Sequence, residues 1–140
     1  MMLQFRRAVL ADVPLLAEWN RQLIQDEGHR NRMTLSELEA RMRGLLEGEY
    51  TAILFEQGGE PLAYALYRRD ADSLYLRQFF VERSHRRQGV GRQAMTLLLR
   101  EIWPPDARVT VEVLVHNRAA HAFWRSVGFR DYAVTLEMLP

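Results

Sequence analysis

The 140-residue chain has the length of one domain spanning residues 1–140, and 48% hydrophobic residues are enough for a proper core. A net charge of +1 predicts no polyanionic partner from bulk electrostatics, and the absence of cysteine excludes disulfides, thiolate metal ligands and a cysteine nucleophile. All 19 basic residues are arginine, which excludes Schiff-base and Walker-type lysine chemistry. With no signal peptide and no apolar run near the roughly 18 residues of a membrane span, we expect a cytoplasmic protein.

The first third of the sequence predicts one strand and two helices. Asp12 can cap a helix with Pro14 in its first turn, and Thr34 with Glu37 forms a capping box. Leucine and aromatic residues at helical spacing follow both starts. The predicted elements are, in order, a strand (3–9), a helix (12–24), a polar loop (25–33) and a second helix from Thr34.

Three strands follow, with sequences YTAILFE, PLAYALYRR and SLYLRQFFV at 50–56, 61–69 and 73–81. Gly58-Gly59 and the polar stretch 70–73 are turn signals between them. Short turns join antiparallel neighbours, so we expect an antiparallel meander.

The last third predicts a helix from Val90 to Ile102, a β-branched strand at 108–115, a helix capped by Asn117 and closed by Gly128, and a final strand at 129–139. The strand–helix–strand unit from Leu74 onward predicts a parallel pair with a right-handed crossover. The fold class expected is therefore α+β, a mixed sheet with helices on both faces.

The segment FFVERSHRRQGVGRQAMTLLLREIW at 79–103 places two glycines and a crowd of arginines at the start of a helix. Helix N-termini present free N–H groups, glycine permits close approach, and arginine adds charge and donors. This turn is either a cradle for a diphosphate or a solvated charged turn. The Rossmann and Walker glycine patterns are both absent.

The pattern R-x-x-G-x-G at 86–91, directly after an apolar strand, resembles the acyl-CoA-binding signature of the GNAT superfamily of N-acetyltransferases. A second signature of that family is similar to VHNRAAHAFWRSVGFR at 115–130, and the order of elements matches over nearly the whole chain. The resemblance implies a GNAT-like fold: a central, mostly antiparallel sheet of about six strands with a splayed parallel pair. It also implies acetyl-CoA as cosubstrate, with no metal.

The resemblance further implies how acetyl-CoA is held. Backbone N–H groups of residues 87–92 would bind the pyrophosphate, the preceding strand end would bind the pantetheine arm, and a free N–H near Phe80 or Val81 would polarise the thioester. Asn117 would contact the CoA chain, and two aromatic residues would pack near the sulfur. The implied CoA-binding residues are Phe79, Phe80, Val81, Arg86, Arg87, Gln88, Gly89, Val90, Gly91, Arg92, Asn117, Phe123 and Trp124.

Direct acetyl transfer to an amine needs a base for the amine and gains from an acid at the leaving thiolate. In the family a tyrosine is often that acid, but this chain has Trp124, whose indole is too weak an acid. Tyr132 and His121 are the substitutes to test. Glu27 and His29, in the polar loop beside Asp26, are the candidate bases and would attract a cationic amine.

Several alternatives stay open on the sequence alone. The acceptor is predicted to be a small-molecule amine, with a protein or peptide amine as the near alternative. A non-catalytic acyl-CoA sensor is a second alternative, and nucleic-acid binding is disfavoured by the near-zero net charge. No membrane partner is expected, and a homodimer is possible. Arg77 and Gln78, polar residues in an apolar strand, must find partners in the fold or line the cleft.

Overall fold

The structure, a computed structural model, describes residues 2–140. Within them, 3-10 turns span Leu10–Asp12 and Arg83–His85, and a π turn spans Leu98–Ile102. None of the helices in this range is long and apolar enough to cross a bilayer. The elements are β1 (Gln4–Arg7), α1 (Val13–Glu27), α2 (Leu35–Glu47), β2 (Tyr50–Gln57), β3 (Glu60–Arg69), β4 (Ser73–Val81), α3 (Val90–Leu97), β5 (Arg108–Val111) and α4 (Arg118–Ser126).

The strands form one sheet in the order β1-β2-β3-β4-β5. The first four are antiparallel to their neighbours, and β5 is parallel to β4, so the predicted mixed sheet is confirmed. Gly58 and Gly59, at φ +60° and +81°, form the turn between β2 and β3, because two left-handed residues in succession match the twist of a tight hairpin.

Helices cover both faces of the sheet. α1 and α2 pack on one face around Leu16, Trp19 and Met42, and α3 and α4 pack on the other face around Met95 and Trp124. Each helix buries the apolar stripe that its sequence predicts, since residues three and four apart share one helical face.

The predicted capping box at the start of α2 is confirmed. The backbone N–H of Glu37 donates to Thr34 Oγ1 at 3.2 Å, and the backbone N–H of Thr34 donates to Glu37 Oε1 at 2.9 Å. Two backbone donors at the helix start are thereby satisfied reciprocally, which fixes where the polar loop ends and α2 begins.

The parallel pair opens halfway along its length. Leu66 pairs with Gln78 and Tyr67 pairs with Leu76, so Arg77 is an extra residue in β4, a β-bulge. Pairing of β4 with β5 ends at Leu76, although β4 continues to Val81. The splayed parallel pair is thus confirmed. The predicted strand at 108–115 forms a ladder only over Arg108–Val111, because its partner has turned away.

The predicted sixth strand at 129–139 is wrong for the single chain. Residues 130–140 are exposed and carry no regular secondary structure, so residues 2–140 form five strands and not about six. The alternating apolar pattern is typical of a strand, but a strand also needs a neighbouring backbone to hydrogen-bond with, and the segment meets none among residues 2–140.

Candidate functional site

The turn between β4 and α3 has a backbone shape suited to an anion. Arg87 and Gly89 both have left-handed conformations, with φ of +63° and +80°. Such a conformation is uncommon for a residue other than glycine. Left-handed residues inside a turn direct successive N–H groups toward one concavity, and α3 begins at once with Val90. The turn therefore combines a backbone concavity with a helix N-terminus.

The amides of this turn are not used inside the protein. The first hydrogen bond of α3 runs from the N–H of Gln93 to the carbonyl oxygen of Gly89, at 3.0 Å. Within residues 2–140, none of the backbone N–H groups of residues 87–92 donates to a protein carbonyl or side chain outside α3 itself. The exposed turn therefore keeps several donors for a ligand.

The two glycines of the signature serve different purposes. A Cβ built on Gly89 would meet only Gln93 Nε2, at 3.9 Å, so its space is open and its conformation is what requires glycine. A Cβ on Gly91 would lie 3.1 Å from Phe123 Cε1 and 3.6 Å from Val81 Cγ2. Gly91 is needed for the close packing of α3 against α4, and Gly89 for the turn itself.

Arg86 joins the turn to the neighbouring elements. Its Nε donates to the carbonyl oxygen of Val81 at 2.8 Å, its Nη2 lies 2.8 Å from Asp26 Oδ2, and its guanidinium lies over the Phe80 ring. Arg83 Nη2 contacts the other Asp26 oxygen at 2.9 Å. Asp26 thus ties the end of α1 to the turn and offsets two of its positive charges.

The open edge of β4 lies beside this turn. The N–H of Glu82 donates to the carbonyl oxygen of Leu62 at 2.8 Å, which fixes the alternation of the antiparallel ladder with β3. By that alternation the backbone of Phe80 faces β3, and the backbones of Phe79 and Val81 face the gap where β5 has diverged. Of the two backbone amides expected to polarise the thioester, those of Phe80 and Val81, the one facing the gap is therefore that of Val81. The amide of Phe79, two residues earlier, faces the gap as well.

Aromatic side chains line one side of the gap. Phe79 stacks on Phe123 with ring centroids 5.9 Å apart, and Trp124 meets Phe79 edge-on at 5.5 Å. Trp124 also contacts Phe129 and is only 9% exposed. The structure thus brings Phe123 and Trp124, the two residues expected near the sulfur, together with Phe79 of the strand end. Phe80 lies on the opposite face of the sheet, against Trp19.

A cavity of about 320 Å³ lies between the end of α1 and the start of α4. Asn117 caps α4 as predicted, because its Oδ1 accepts from the N–H of Ala120 at 3.2 Å. A Cβ on Gly28 would lie 3.2 Å from His116 Nε2, so the two helix ends nearly touch. The lining residues are Gln25, Asp26, Glu27, Gly28, His116, Asn117, Arg118 and Ala119.

His116 was not predicted to belong to the site. The one signal in the sequence is the position of His116 directly before Asn117, the asparagine of the second signature. It lies at this cavity because the chain leaving β5 must cross the end of the sheet before α4 can begin.

Glu27 is the carboxylate best placed for acid–base chemistry. It is the last residue of α1, lines the cavity, and its Oε1 lies 3.1 Å from His29 Nε2. Burial raises the pKa of the Glu27 carboxyl above its ordinary value, against the opposing effect of His29. The two residues predicted as candidate bases are therefore in direct contact.

Polar side chains continue from Glu27 beneath α1 and α2. The Tyr64 hydroxyl, fully buried, donates to Gln78 Oε1 at 2.9 Å. Burial raises the pKa of Tyr64 and the nearby Glu27 charge adds to that shift, so this tyrosine stays protonated. Arg41 Nη2 donates to Asn20 Oδ1 at 2.9 Å. These residues were missed by sequence analysis, because isolated polar residues on helical and strand faces give no pattern.

Gln78 is buried and has a partner, as the cost of burying a polar group requires, because its Oε1 accepts from the Tyr64 hydroxyl. Arg77 is exposed. Its Nη1 lies 3.3 Å from the Tyr50 hydroxyl, with its guanidinium over the Tyr50 ring.

His121 and Tyr132, the two residues predicted to replace the acid missing at Trp124, lie apart in the structure. His121 lies in the first half of α4, half-buried, and its N–H donates to the Asn117 carbonyl. Tyr132 is 82% exposed and lies over Arg108, at the start of β5. That is the end of the strand away from the glycine turn, so Tyr132 of the same chain lies far from the gap.

The parallel pair of the mixed sheet thus opens beside a glycine turn whose backbone amides are free. The sequence profile of the acetyltransferase (GNAT) family matches residues 14–129, and the chain belongs to this family. The predicted membership is thereby confirmed, and the protein is an acetyltransferase of the GNAT type.

Solved structures show the same fold. A possible acetyltransferase from Clostridium difficile 630 has a TM-score of 0.81 at 14% identity, covering 100% of this chain and 98% of that one. Aminoglycoside N-acetyltransferase AAC(6')-Iy in complex with CoA has a TM-score of 0.77 at 13% identity, covering 99% and 94%. A predicted acetyltransferase from Clostridium acetobutylicum with acetyl-CoA has a TM-score of 0.72 at 18% identity, covering 99% and 96%. A search of curated protein sequences gave no match.

We predict that Gly89→Val abolishes CoA binding measured by calorimetry. The branched side chain would both strain a backbone at φ +80° and project into the open space in front of the turn. Gly59→Val is the matched control, since Gly59 has φ +81° and equally open surroundings in a distant hairpin. Equal CoA affinity in the two variants would show that the turn is not the diphosphate site.

We predict that Asp26→Asn strengthens CoA binding at low salt by several-fold and makes it more sensitive to salt. Arg83 and Arg86 are paired with Asp26, so a phosphate has to compete with a carboxylate for them. Asp70→Asn is the control, because Asp70, in the turn between β3 and β4, pairs with Arg68 at the opposite end of β4 from the glycine turn. Calorimetry over a series of salt concentrations measures the effect, and weaker binding in Asp26→Asn would contradict it.

Proposed function

We propose that this acetyltransferase moves an acetyl group from acetyl-CoA to a primary amine of a small molecule by direct attack. The observation that carries the proposal is the set of unused amides at residues 87–92 lying beside the open edge of β4. One surface offers donors for a diphosphate, and the adjoining edge offers backbone groups for an amide-containing arm.

In this proposal the pantetheine arm pairs with β4 as an additional strand would. The backbones of Phe79 and Val81 face the gap, and the Val81 carbonyl now accepts from Arg86. Arg86 would release that carbonyl when the arm binds. The N–H of Val81 would then donate to the thioester oxygen, where negative charge develops as the amine attacks.

Glu27 is the general base of the proposed reaction. A free amine is protonated at neutral pH, with a pKa of about 10, and must lose a proton before it can attack. A carboxylate accepts that proton more readily when its own pKa is raised, as burial raises that of Glu27. The contact with His29 gives the proton a path from Glu27 toward the exposed loop.

Trp124 leaves the thiolate without the usual acid. Its indole is enclosed by aromatic rings and does not give up its proton at accessible pH. A thiol has a pKa of about 8.5, so its thiolate is a fair leaving group without protonation. We therefore assign the demanding proton transfer to the amine, which must lose a proton before it attacks. His121, in α4, is the remaining candidate for protonating the thiolate.

A cationic small molecule fits the acceptor side of the cavity. Asp26 is committed to two arginines, so Glu27 is the carboxylate left to meet an ammonium group. The likeness in fold to an aminoglycoside N-acetyltransferase supports the choice of polyamines and amino sugars as the first acceptors to test. A peptide amine is the second candidate, because the cavity is open at the surface.

A panel of polyamines, aminoglycosides, amino acids and lysine peptides, each incubated with acetyl-CoA, tests the proposal through thiol release and mass spectrometry. Acetylation of one free amine without activity on peptides is expected. Peptide acetylation alone would replace the acceptor class. CoA binding by calorimetry with background turnover on every amine would point to a non-catalytic acyl-CoA sensor.

We predict that Glu27→Gln lowers kcat about a hundredfold or more, within the range for loss of a general base. In the unchanged chain kcat/KM should fall as pH drops through the raised pKa of Glu27, because the base works only when deprotonated. That acidic limb should vanish in Glu27→Gln and persist in Glu18→Gln, whose carboxylate pairs with Arg21. An unchanged pH–rate profile in Glu27→Gln would exclude Glu27 as the base.

A further inference from the structure

Two arginines converge on a buried tyrosine where β4 and β5 separate. The Tyr50 hydroxyl oxygen accepts from Arg68 Nη1 at 2.9 Å and from Arg77 Nη1 at 3.3 Å. Both guanidinium groups also lie over the Tyr50 ring, each with its central carbon 5.4 Å from the ring centroid. Because Tyr50 is only 5% exposed, two positive charges meet at a hydroxyl that the core holds in place.

The proton of this hydroxyl has no partner in the protein. A phenol oxygen has two acceptor positions and one donor, and the two arginines occupy the acceptor positions of Tyr50. Within residues 2–140 the Tyr50 hydroxyl donates to no protein acceptor, and the Glu112 carboxylate, just after β5, accepts from Tyr75 instead. A free O–H donor between two guanidinium groups is the arrangement that an anionic oxygen requires.

Arg41 adds another positive charge from α2. Its Nη2 donates to the neutral Oδ1 of Asn20 at 2.9 Å, burial lowers the pKa of Arg41, and the charge of Arg77 lowers it further. Arg68 is paired with Asp70, whereas in the part of the chain that the structure describes neither Arg41 nor Arg77 forms an ion pair with a carboxylate. Two neighbouring cations without a counter-charge favour the binding of an anion.

The bulge in β4 aims this cluster at the gap. Arg77 contacts Tyr50 and Gln78 contacts Tyr64, so the bulge places two consecutive side chains on the face of the sheet that α1 and α2 cover. Pairing of β4 with β5 stops one residue before Arg77. A CoA arm laid along the open edge of β4 from the glycine turn would therefore point toward Arg77.

Glu27 and Arg41 lie near the same buried tyrosine. Burial raises the pKa of Tyr64, the charge of Glu27 raises it further, and the charge of Arg41 opposes that shift. A carboxylate and a guanidinium are therefore both close to Tyr64, although the two are not paired with each other. One small molecule with charges of both signs could meet the carboxylate with its ammonium group and the arginines with its anionic group.

We propose that the acceptor is an amine that also carries a carboxylate or phosphate group, and that Arg41, Arg77 and the Tyr50 hydroxyl bind this group while Glu27 receives the amine. The planar donor forks of two arginines suit the oxygens of either group. The inference rests on the proposed function, because it assigns the amine to Glu27. A polyamine would instead bring further positive charges toward the arginines, which disfavours it.

Matched acceptors test which charge the site selects. β-Alanine is compared with β-alaninamide for a carboxylate, and O-phosphoethanolamine with ethanolamine for a phosphate, through thiol release from acetyl-CoA. The acidic member of at least one pair should have a kcat/KM about tenfold higher or more, the usual effect of a charge-assisted hydrogen bond. Equal values within both pairs, or a higher value for spermidine than for either acidic amine, would overturn the proposal.

Binding measurements on variants test the residues. Arg77→Gln should weaken calorimetric binding of the preferred acidic amine to the CoA-bound protein about tenfold, and Arg77→Lys should restore part of it, because the charge returns. Since Arg77 is exposed, neither change disturbs the core. Arg69→Gln is the matched control, because Arg69 follows Arg68 along β3 and therefore points to the other face of the sheet.

The two measurements separate this inference from the proposed reaction. Binding of an acidic amine that depends on Arg77, without acetyl transfer, would support the anion subsite and refute the proposed transfer. Acetyl transfer without a preference for the acidic amines would do the reverse. No binding of either acidic amine at millimolar concentration, or the same affinity in Arg77→Gln as in Arg69→Gln, would show that the cluster is not an acceptor subsite.

Discussion

The separation of β4 from β5 is the constraint on which the site depends. The extra residue Arg77 bends β4 after Leu76, and pairing with β5 stops at Val111. Free backbone groups inside a sheet are costly unless something satisfies them. Here the bulge leaves the backbones of Phe79 and Val81 facing a gap, and the gap ends at the glycine turn. The gap between β4 and β5 and the glycine turn therefore form one continuous surface, which is the proposed binding site.

Arg86 is the first residue of the acyl-CoA signature and was expected to stand beside the pyrophosphate, and its contacts make it a structural brace of the turn. It holds the Val81 carbonyl, the Asp26 carboxylate and the Phe80 ring at once. The next residue, Arg87, adopts a left-handed conformation that costs about 1–2 kcal/mol for an ordinary residue. The anchored Arg86 side chain fixes the start of the turn and so helps to hold this conformation before any ligand arrives.

Sequence reasoning succeeded where one local interaction decides the structure. The capping box at Thr34, the tight turn at Gly58-Gly59 and the cap at Asn117 each depend on residues a few positions apart, and each is present. The splayed pair came from the family resemblance, since no local pattern marks Arg77 as a bulge. The need for Gly91 depends on Phe123, a contact between distant helices that no spacing rule reveals.

The final strand shows a different limit. Alternation of apolar residues reports the preferred conformation of a segment, but it does not say which backbone will pair with it. Residues 130–140 have the pattern, but no backbone among the described residues 2–140 pairs with them, so the prediction of a sixth strand in the sheet was wrong. The same reasoning explains the short β5, whose sequence continues as a strand after its neighbour has diverged.

Trp124 links the architecture of the gap to its chemistry. Together with Phe79, Phe123 and Phe129 it forms an aromatic wall, and it is buried as a core residue would be. Tyr64 is no substitute acid, because its hydroxyl is committed to Gln78 and its pKa is raised. In the proposed mechanism the Glu27 carboxylate acts on the amine and the Val81 amide acts on the oxyanion, while aromatic rings line the side of the gap proposed for the sulfur. Activation of the amine and stabilisation of the oxyanion would then supply most of the rate enhancement.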